Sequence, residues 1–370
     1  MQVGLLPALG GGLRALAQTG QQSRLIDGYF RPYLRAFDGL AYFSYLPESL
    51  AEFTDDAALR ERVRVLAPGG PVSRGRRAVQ IPFAHAAALR ECAALRVFQI
   101  TGVIPALIAR RRFGTPYVTT YGFWYAALSH PGPKRGLKAL VERLGLTHAA
   151  AVIATTPELA ARASRLARRV EVIPNGVDTT LFRSLASPPH NAPRRILYVG
   201  RLSAEKNLST VVEATRYVSL NSEVLMVGSG PLKDDLKSQA QQAGVLVDFP
   251  GVVDQRRLPE VYGSADVFVL ASFTEGHPKV LLEAMACGVP CVASACAGNR
   301  SLVTDGRTGL LFDPRDPRQL ADCLERVLKD PALARRLADT AREEIVARYD
   351  LRALVEREIA LVRQVAGAGG

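Results

Sequence analysis

Short apolar segments alternate along the whole chain with stretches of helical periodicity, and that alternation admits few folds. Seven such segments lie in the first half, at 3–9, 39–45, 63–67, 97–101, 117–121, 150–155 and 169–173. Six lie in the second, at 195–200, 223–228, 245–249, 267–271, 290–293 and 309–312. Strands that are apolar on both faces suit parallel sheets covered by helices on either side. The pattern predicts an α/β chain with two doubly wound, Rossmann-like sheets, and 370 residues at 48% hydrophobic content suffice for two cores. Residues 1–180 are expected as the first domain and 194–347 as the second. Between them, 181–193 reads as a linker, because Ser187-Pro188-Pro189 and Pro193 make it too proline-rich to continue either sheet. The final helical region, 316–365, breaks near Tyr349 and Asp350.

The segment 275–290, EGHPKVLLEAMACGVP, concentrates the candidate chemistry. Pro278 suits the first helical position and Gly288 with Pro290 supplies a stop, so a helix is expected over 278–287. Most of its circumference is apolar, yet it carries Glu283, a carboxylate that is costly to bury unless something hydrogen-bonds to it. A ligand hydroxyl or a buried Arg or Lys would serve. The open end of the helix presents unpaired N–H groups and about half a positive charge, which suits a phosphate. Glu275 either contacts a ligand or bridges a loop.

A second cationic element follows the strand that ends at Gly200, where Arg201 and then Lys206 precede a helix starting near Asn207. A lysine at the positive end of a helix is unfavourable unless an anion such as a diphosphate sits between them. Gly228-Ser229-Gly230-Pro231 forms a third loop, able to let backbone approach a ligand. Gly10-Gly11-Gly12 after the first strand could bring amides to a phosphate or simply form a tight turn. It lacks the G-x-G-x-x-G spacing of a dinucleotide site.

VGRLSAEKN (199–207), VGSGP (227–231) and EGHPKVLLEAMACGVP resemble the donor-binding signature of glycosyltransferase family 4, and VIPNGVD (172–178) resembles the end of that family's first domain. The resemblance implies a GT-B fold, two Rossmann-like domains facing a central cleft, with helix 348–366 packing back on the acceptor-side domain. It implies a retaining transferase that takes a nucleoside-diphosphate sugar as co-substrate, without cofactor or metal. On that picture Arg201, Lys206 and Glu275 are catalytic. Arg201, Lys206 and the helix amides near Lys279, Val280 and Leu281 stabilise the leaving diphosphate, while Glu275 accepts from a sugar hydroxyl and Glu283 from the ribose. Gly11, Gly12, Gly200, Gly228, Gly230, Gly276, Pro278 and the backbone of His277 complete the donor site. No Asp-x-Asp pair occurs, so the metal site of the other major transferase fold has no candidate ligands.

The chain departs from the family at Tyr121, where many members carry a His against the donor sugar; a phenol could donate a hydrogen bond there instead. His85, His130 and His148 are alternative entrants, each also readable as an ordinary surface or core residue. Trp124, with Tyr121, Phe123 and Tyr125, could stack on an acceptor sugar or anchor a loop. Two other functions stay open: a non-catalytic donor-binding partner or regulator, and a nucleotide-sugar epimerase of the same shape.

The five cysteines are not spaced like a zinc site and read as reduced, buried hydrophobes of a cytoplasmic protein. A net charge of +12 calls for an acidic partner, with an anionic membrane surface favoured over nucleic acid because no aromatic-rich basic motif accompanies it. Cations gather at Arg110-Arg111-Arg112, at Lys134, Arg135 and Lys138, and at Arg162, Arg165, Arg168 and Arg169. The segment 134–146 adds Leu137, Leu140, Val141 and Leu144 at helical spacing. It suits a peripheral contact with the inner face of the membrane, or a surface helix with its stripe in the core. The expected acceptor is a sugar, polyol or lipid-linked glycan of the cell envelope or an exopolysaccharide.

Overall fold

The computed structural model describes residues 1–67, 69–70, 72–124, 133–184 and 193–368; Tyr125, His130 and 185–192 of the expected linker lie outside the described residues. The chain divides into two compact units, Met1–Pro174 with Arg352–Gly370, and Asn175–Leu351. In the first, β1 (Gln2–Leu6), β2 (Gly39–Phe43), β3 (Val63–Leu66), β4 (Cys92–Val97), β5 (Tyr117–Tyr121), β6 (Ala151–Ala154) and β7 (Val170–Val172) lie in the order β3-β2-β1-β4-β5-β6-β7. In the second, β8 (Arg194–Val199), β9 (Ser222–Val227), β10 (Leu246–Gly251), β11 (Val267–Leu270), β12 (Cys291–Ser294) and β13 (Leu310–Phe312) follow the order β10-β9-β8-β11-β12-β13. Every neighbouring pair is parallel. Strands such as β6, β11 and β12 are buried along their whole length, as sheets covered on both faces require.

Each sheet grows outward in both directions from the first strand of its unit. The connections therefore diverge between β1 and β4 and between β8 and β11, and the strand ends at such a switch point are where open α/β sheets bind ligands. In the second unit those ends lead into Gly200–Asn207 on one side and Ala271–Pro278 on the other.

Three expectations need correction. The strand placed at 97–101 runs instead over Cys92–Val97, and residues 100–102 form a 3-10 turn. Arg96 interrupts the apolar run in the sequence, but it is 2% exposed and bonds Glu358 at 2.7 Å and the Thr120 hydroxyl at 2.7 Å. The domain boundary falls after Pro174 and not at 180. Val177 bridges to Asp350, and Phe182, fully buried, meets the Tyr262 ring edge-on at 6.0 Å, so the start of the expected linker is part of the second core. The helix expected at 278–287 spans Lys279–Ala286, because Pro278 with ψ 117° is an extended N-cap residue; Gly288 at φ 73° ends it.

Past Asp350 the chain returns to the first unit as the helix Leu351–Gly367. Arg357 donates to the Val172 carbonyl and Arg363 to that of Ala36. Glu358 is 5% exposed and accepts from Arg96 and, at 2.6 Å, from the Tyr33 hydroxyl. Burial works against the Arg96 charge, and the Glu358 carboxylate overrides it, holding the guanidinium above its ordinary range. Removing one partner of such a pair strands the other in the core. Glu358→Ala should lower stability in urea by about 3–5 kcal/mol, and Arg96→Met added to it should recover part of that loss by removing the stranded charge. A loss from Glu358→Ala no larger than that of an exposed pair would show that the pair does not hold the helix.

Candidate functional site

The site of the second unit is built from the loops after β8 and β9, the loop after β11, and the helix Lys279–Ala286. Gly200 (φ 152°) and Gly228 (φ 134°) adopt backbone that disfavours side chains. A Cβ on Gly228 would lie 1.9 Å from the Gly200 carbonyl oxygen, and one on Gly230 2.2 Å from that of Leu202. Leu202 N–H donates to the Ser229 carbonyl and Leu232 N–H to that of Leu202. These glycines let two loops of the protein lie against each other.

Arg201 is exposed at the head of this loop, and its carbonyl accepts from the buried Tyr198 hydroxyl at 2.8 Å. Asn207, with φ 55°, is the one non-glycine residue of positive φ among those described. Its amide donates to the carbonyls of Ala271 and Pro314, tying the loop after β8 to the end of β11. The Phe273 N–H reaches the Glu205 carbonyl in the same seam. As a result Lys206 Nζ lies 2.7 Å from Glu275 Oε1, which also accepts from the Ser272 hydroxyl at 2.7 Å. The two side chains are 21% and 11% exposed. Glu275 is thus the anion beside Lys206.

The backbone around Glu275 is fixed from behind. A Cβ on Gly298 would fall 2.4 Å from the Glu275 carbonyl oxygen. The Ser294 hydroxyl donates to the Ser272 carbonyl, and Asn299 donates to the Ser294 carbonyl. None of Asn207, Ser272, Ser294, Gly298 or Asn299 was singled out from sequence as a site residue. Asn207 and Gly298 carried the one readable signal, a polar residue or glycine at a loop-to-helix junction.

After half-buried Gly276 and buried His277 and Pro278, the helix Lys279–Ala286 begins with no side-chain cap and no acid in its first turn. Lys279 is exposed, Val280 half-buried and Leu281 buried. Glu283 is 1% exposed and accepts from the Tyr262 hydroxyl at 3.0 Å. Burial first, then the neighbouring Glu283 carboxylate, drives the Tyr262 phenol far above its ordinary range, so it stays a donor. A cation, two carboxylates and a helix N-terminus therefore occupy one set of strand ends, an arrangement able to bind an anion joined to a polyhydroxylated group.

The first unit answers two expectations differently. The amides of Leu13 and Arg14, which would have met a phosphate after Gly11 and Gly12, donate to the Glu48 carboxylate at 2.8 and 2.7 Å. The Gly11 carbonyl accepts from Tyr45, and a Cβ on Gly12 would strike Ser44 Oγ at 2.6 Å. The turn is packed around an internal anion. Tyr121 is fully buried: its hydroxyl donates to Glu142 at 2.7 Å and accepts from Arg162 Nε at 3.0 Å, so the proton once assigned to a sugar contact is spent inside the unit. The Arg162 guanidinium also stacks 3.6 Å over Trp124, which is 40% exposed. His148 is exposed and His85 lies tilted against Phe43.

His277 is 6% exposed against Tyr349, and its carbonyl accepts from Asn175 at 2.7 Å. Burial, aided by Lys279, pulls its pKa down to about 4. The unfolded chain therefore takes up this proton first, and stability present above about pH 6.5 is lost as the pH falls toward 4, by on the order of 3 kcal/mol. His277→Phe should flatten that part of the denaturation profile, and the wild-type imidazole should titrate near pH 4 by NMR. Identical profiles for the two proteins would show that His277 ionises freely.

Residues 45–181 match the model of Glycosyltransferase Family 4, and residues 184–344 match that of Glycosyl transferases group 1. A glycogen synthase of Mycobacterium tuberculosis is 36% identical over 186 residues, 49% of this chain and 45% of that protein, so the match spans about half the length of such curated relatives. The fold is that of sucrose-phosphate synthase from Thermosynechococcus elongatus, with TM-score 0.81, 23% identity and full coverage of both chains. It is also that of Anabaena HepE solved with UDP and glucose, with TM-score 0.78, 19% identity, and 98% and 100% coverage. With adjoining matches along most of its length and two parallel α/β units of GT-B type, the chain belongs to glycosyltransferase family 4.

Proposed function

We propose that the protein moves a sugar from a nucleoside-diphosphate donor to a hydroxyl acceptor, with retention at the anomeric carbon and without a metal ion. The observation that carries this reading is the meeting of Lys206 and Glu275 at 2.7 Å, on the loop leading to the uncapped helix Lys279–Ala286. A diphosphate would draw Lys206, exposed Arg201 and the first helix amides to the negative charge that builds as the glycosidic bond breaks. Glu275 would then be released from Lys206 to accept from a sugar hydroxyl. Glu283, already oriented by Tyr262, would accept from the ribose. The acceptor hydroxyl attacks from the face the diphosphate leaves, and a departing phosphate oxygen takes its proton. UDP is the first nucleotide to try, because the similar HepE structure holds it.

The acceptor we favour is a lipid-linked, cell-envelope or exopolysaccharide glycan met at the inner membrane face. The +12 net charge supports an anionic partner. Among the described residues no helix is long and apolar enough to cross a membrane, so contact by a helix would be peripheral.

A thermal-shift series of UDP, GDP and ADP in EDTA tests the donor site. One nucleotide at a hundred times its Kd should add about 2.7 kcal/mol of stability, and Glu283→Gln should abolish most of the shift. Lys206→Ala should cut kcat by about 10²–10³. Stabilisation that requires a divalent metal would sink the metal-free reading, and none at all would sink the donor site. The commitment of the Tyr121 hydroxyl to Glu142 favours a second reading, donor binding without transfer. Release of nucleoside diphosphate only in the presence of acceptor decides for transfer.

A further inference from the structure

Three helices of the first unit, Arg74–Ala84, Ile104–Phe113 and Pro133–Thr147, pack side by side. A surface helix ordinarily turns its apolar stripe toward the core. In Pro133–Thr147 the inward positions are taken by Glu142, Gly145 and Leu146, and the leucines at i, i+3 and i+7 face out: Leu137, Leu140 and Leu144 are 63%, 52% and 40% exposed. On the first helix of the three, Val79 and Phe83 are 48% and 54% exposed. Arg112 of the middle helix spans to it, its guanidinium 4.7 Å over the Phe83 ring.

Exposed charge on these three helices has one sign. Arg74, Arg76, Arg111, Arg135 and Arg143 are exposed on these helices. The sequences of the three helices hold a single acid, Glu142, and that one is buried and bonded to Tyr121. Apolar side chains left in water across adjoining helices mark an interaction surface, and a rim of uncompensated cations fixes the sign of its partner.

We infer that this three-helix face docks on an anionic phospholipid bilayer. The leucines and Phe83 enter the boundary between headgroups and acyl chains while the arginines pair with lipid phosphates. A second copy of the same face would set cations against cations, and a nucleic acid would leave the leucines in water. The inference deepens the peripheral-membrane reading above but uses no residue of the donor site.

The experiment is flotation of the full chain with vesicles of phosphatidylcholine, alone or mixed with phosphatidylglycerol. The exposed pairs Leu137→Ser with Leu140→Ser, and Arg135→Glu with Arg143→Glu, are compared with Arg335→Glu and Arg336→Glu, which make the same charge change on the second unit. The wild type should float only with the anionic vesicles. Each of the first two pairs should reduce partitioning about tenfold or more, the control pair should not, and the nucleotide-induced thermal shift should be the same in all. Equal binding to neutral vesicles overturns the inference, as does a loss in the control matching that of Arg135→Glu with Arg143→Glu, or undiminished binding of the leucine pair. A wild-type dimer that the leucine pair converts to monomer assigns the face to a second copy and overturns it too. Loss of the nucleotide shift in every protein, with flotation intact, would remove the donor-site reading and leave this one standing.

Discussion

A parallel sheet covered on both faces has no room for charge along its strands, so polar chemistry collects beyond their C-terminal ends. In the second unit that constraint puts Lys206 after β8 and Glu275 after β11, on either side of the point where the connections diverge. Neither side chain is well solvated, and each supplies what the other lacks. An ion pair of this kind is a resting arrangement, because the desolvation of both groups offsets much of their attraction. A diphosphate with a sugar attached offers both partners better terms: more negative charge for the lysine, and hydroxyl donors for the carboxylate.

Such an exchange works only if the loops hold their places while the partners change. Gly228 and Gly230 permit backbone contact that any side chain would block, and Asn207 spends two hydrogen bonds joining the loop after β8 to segments at Ala271 and Pro314. Ser294, Asn299 and Gly298 brace the opposite loop. Preorganised donors of this sort need little rearrangement when charge develops. Residues that never touch a ligand thereby set how well the exposed ones can.

Much of this was legible in the sequence because buried strands and capped helices leave local marks. The apolar runs located strands close to all but one of the thirteen among the described residues, and the glycines marked the loops. The failures share a cause, which is a partner far away in the chain. β4 was misplaced because Arg96 looks like a strand breaker until Glu358, 262 positions later, neutralises it. The turn at Gly11 and Gly12 looked like a phosphate cradle because nothing nearby announces that Glu48 fills it. The leucines of Pro133–Thr147 have a period that fits core and surface alike; only the packing of Gly145 and Leu146 inward shows which side they take.

Tyr121 joins these cases. Read alone, a tyrosine at a strand end near expected sugar contacts is a plausible substitute for histidine. In the structure its hydroxyl is held between Glu142 and Arg162, with its proton on the carboxylate side and its lone pair toward the guanidinium. Burial is the first cause that lifts its pKa well above the phenol's ordinary range, so it remains neutral. What Tyr121 contributes is therefore position: it steers Arg162 into the stack over Trp124, and it buries the one acid of Pro133–Thr147. Glu142 thus lies on the inward side of that helix, away from the outward leucines, and its charge is met inside the unit by the Tyr121 hydroxyl.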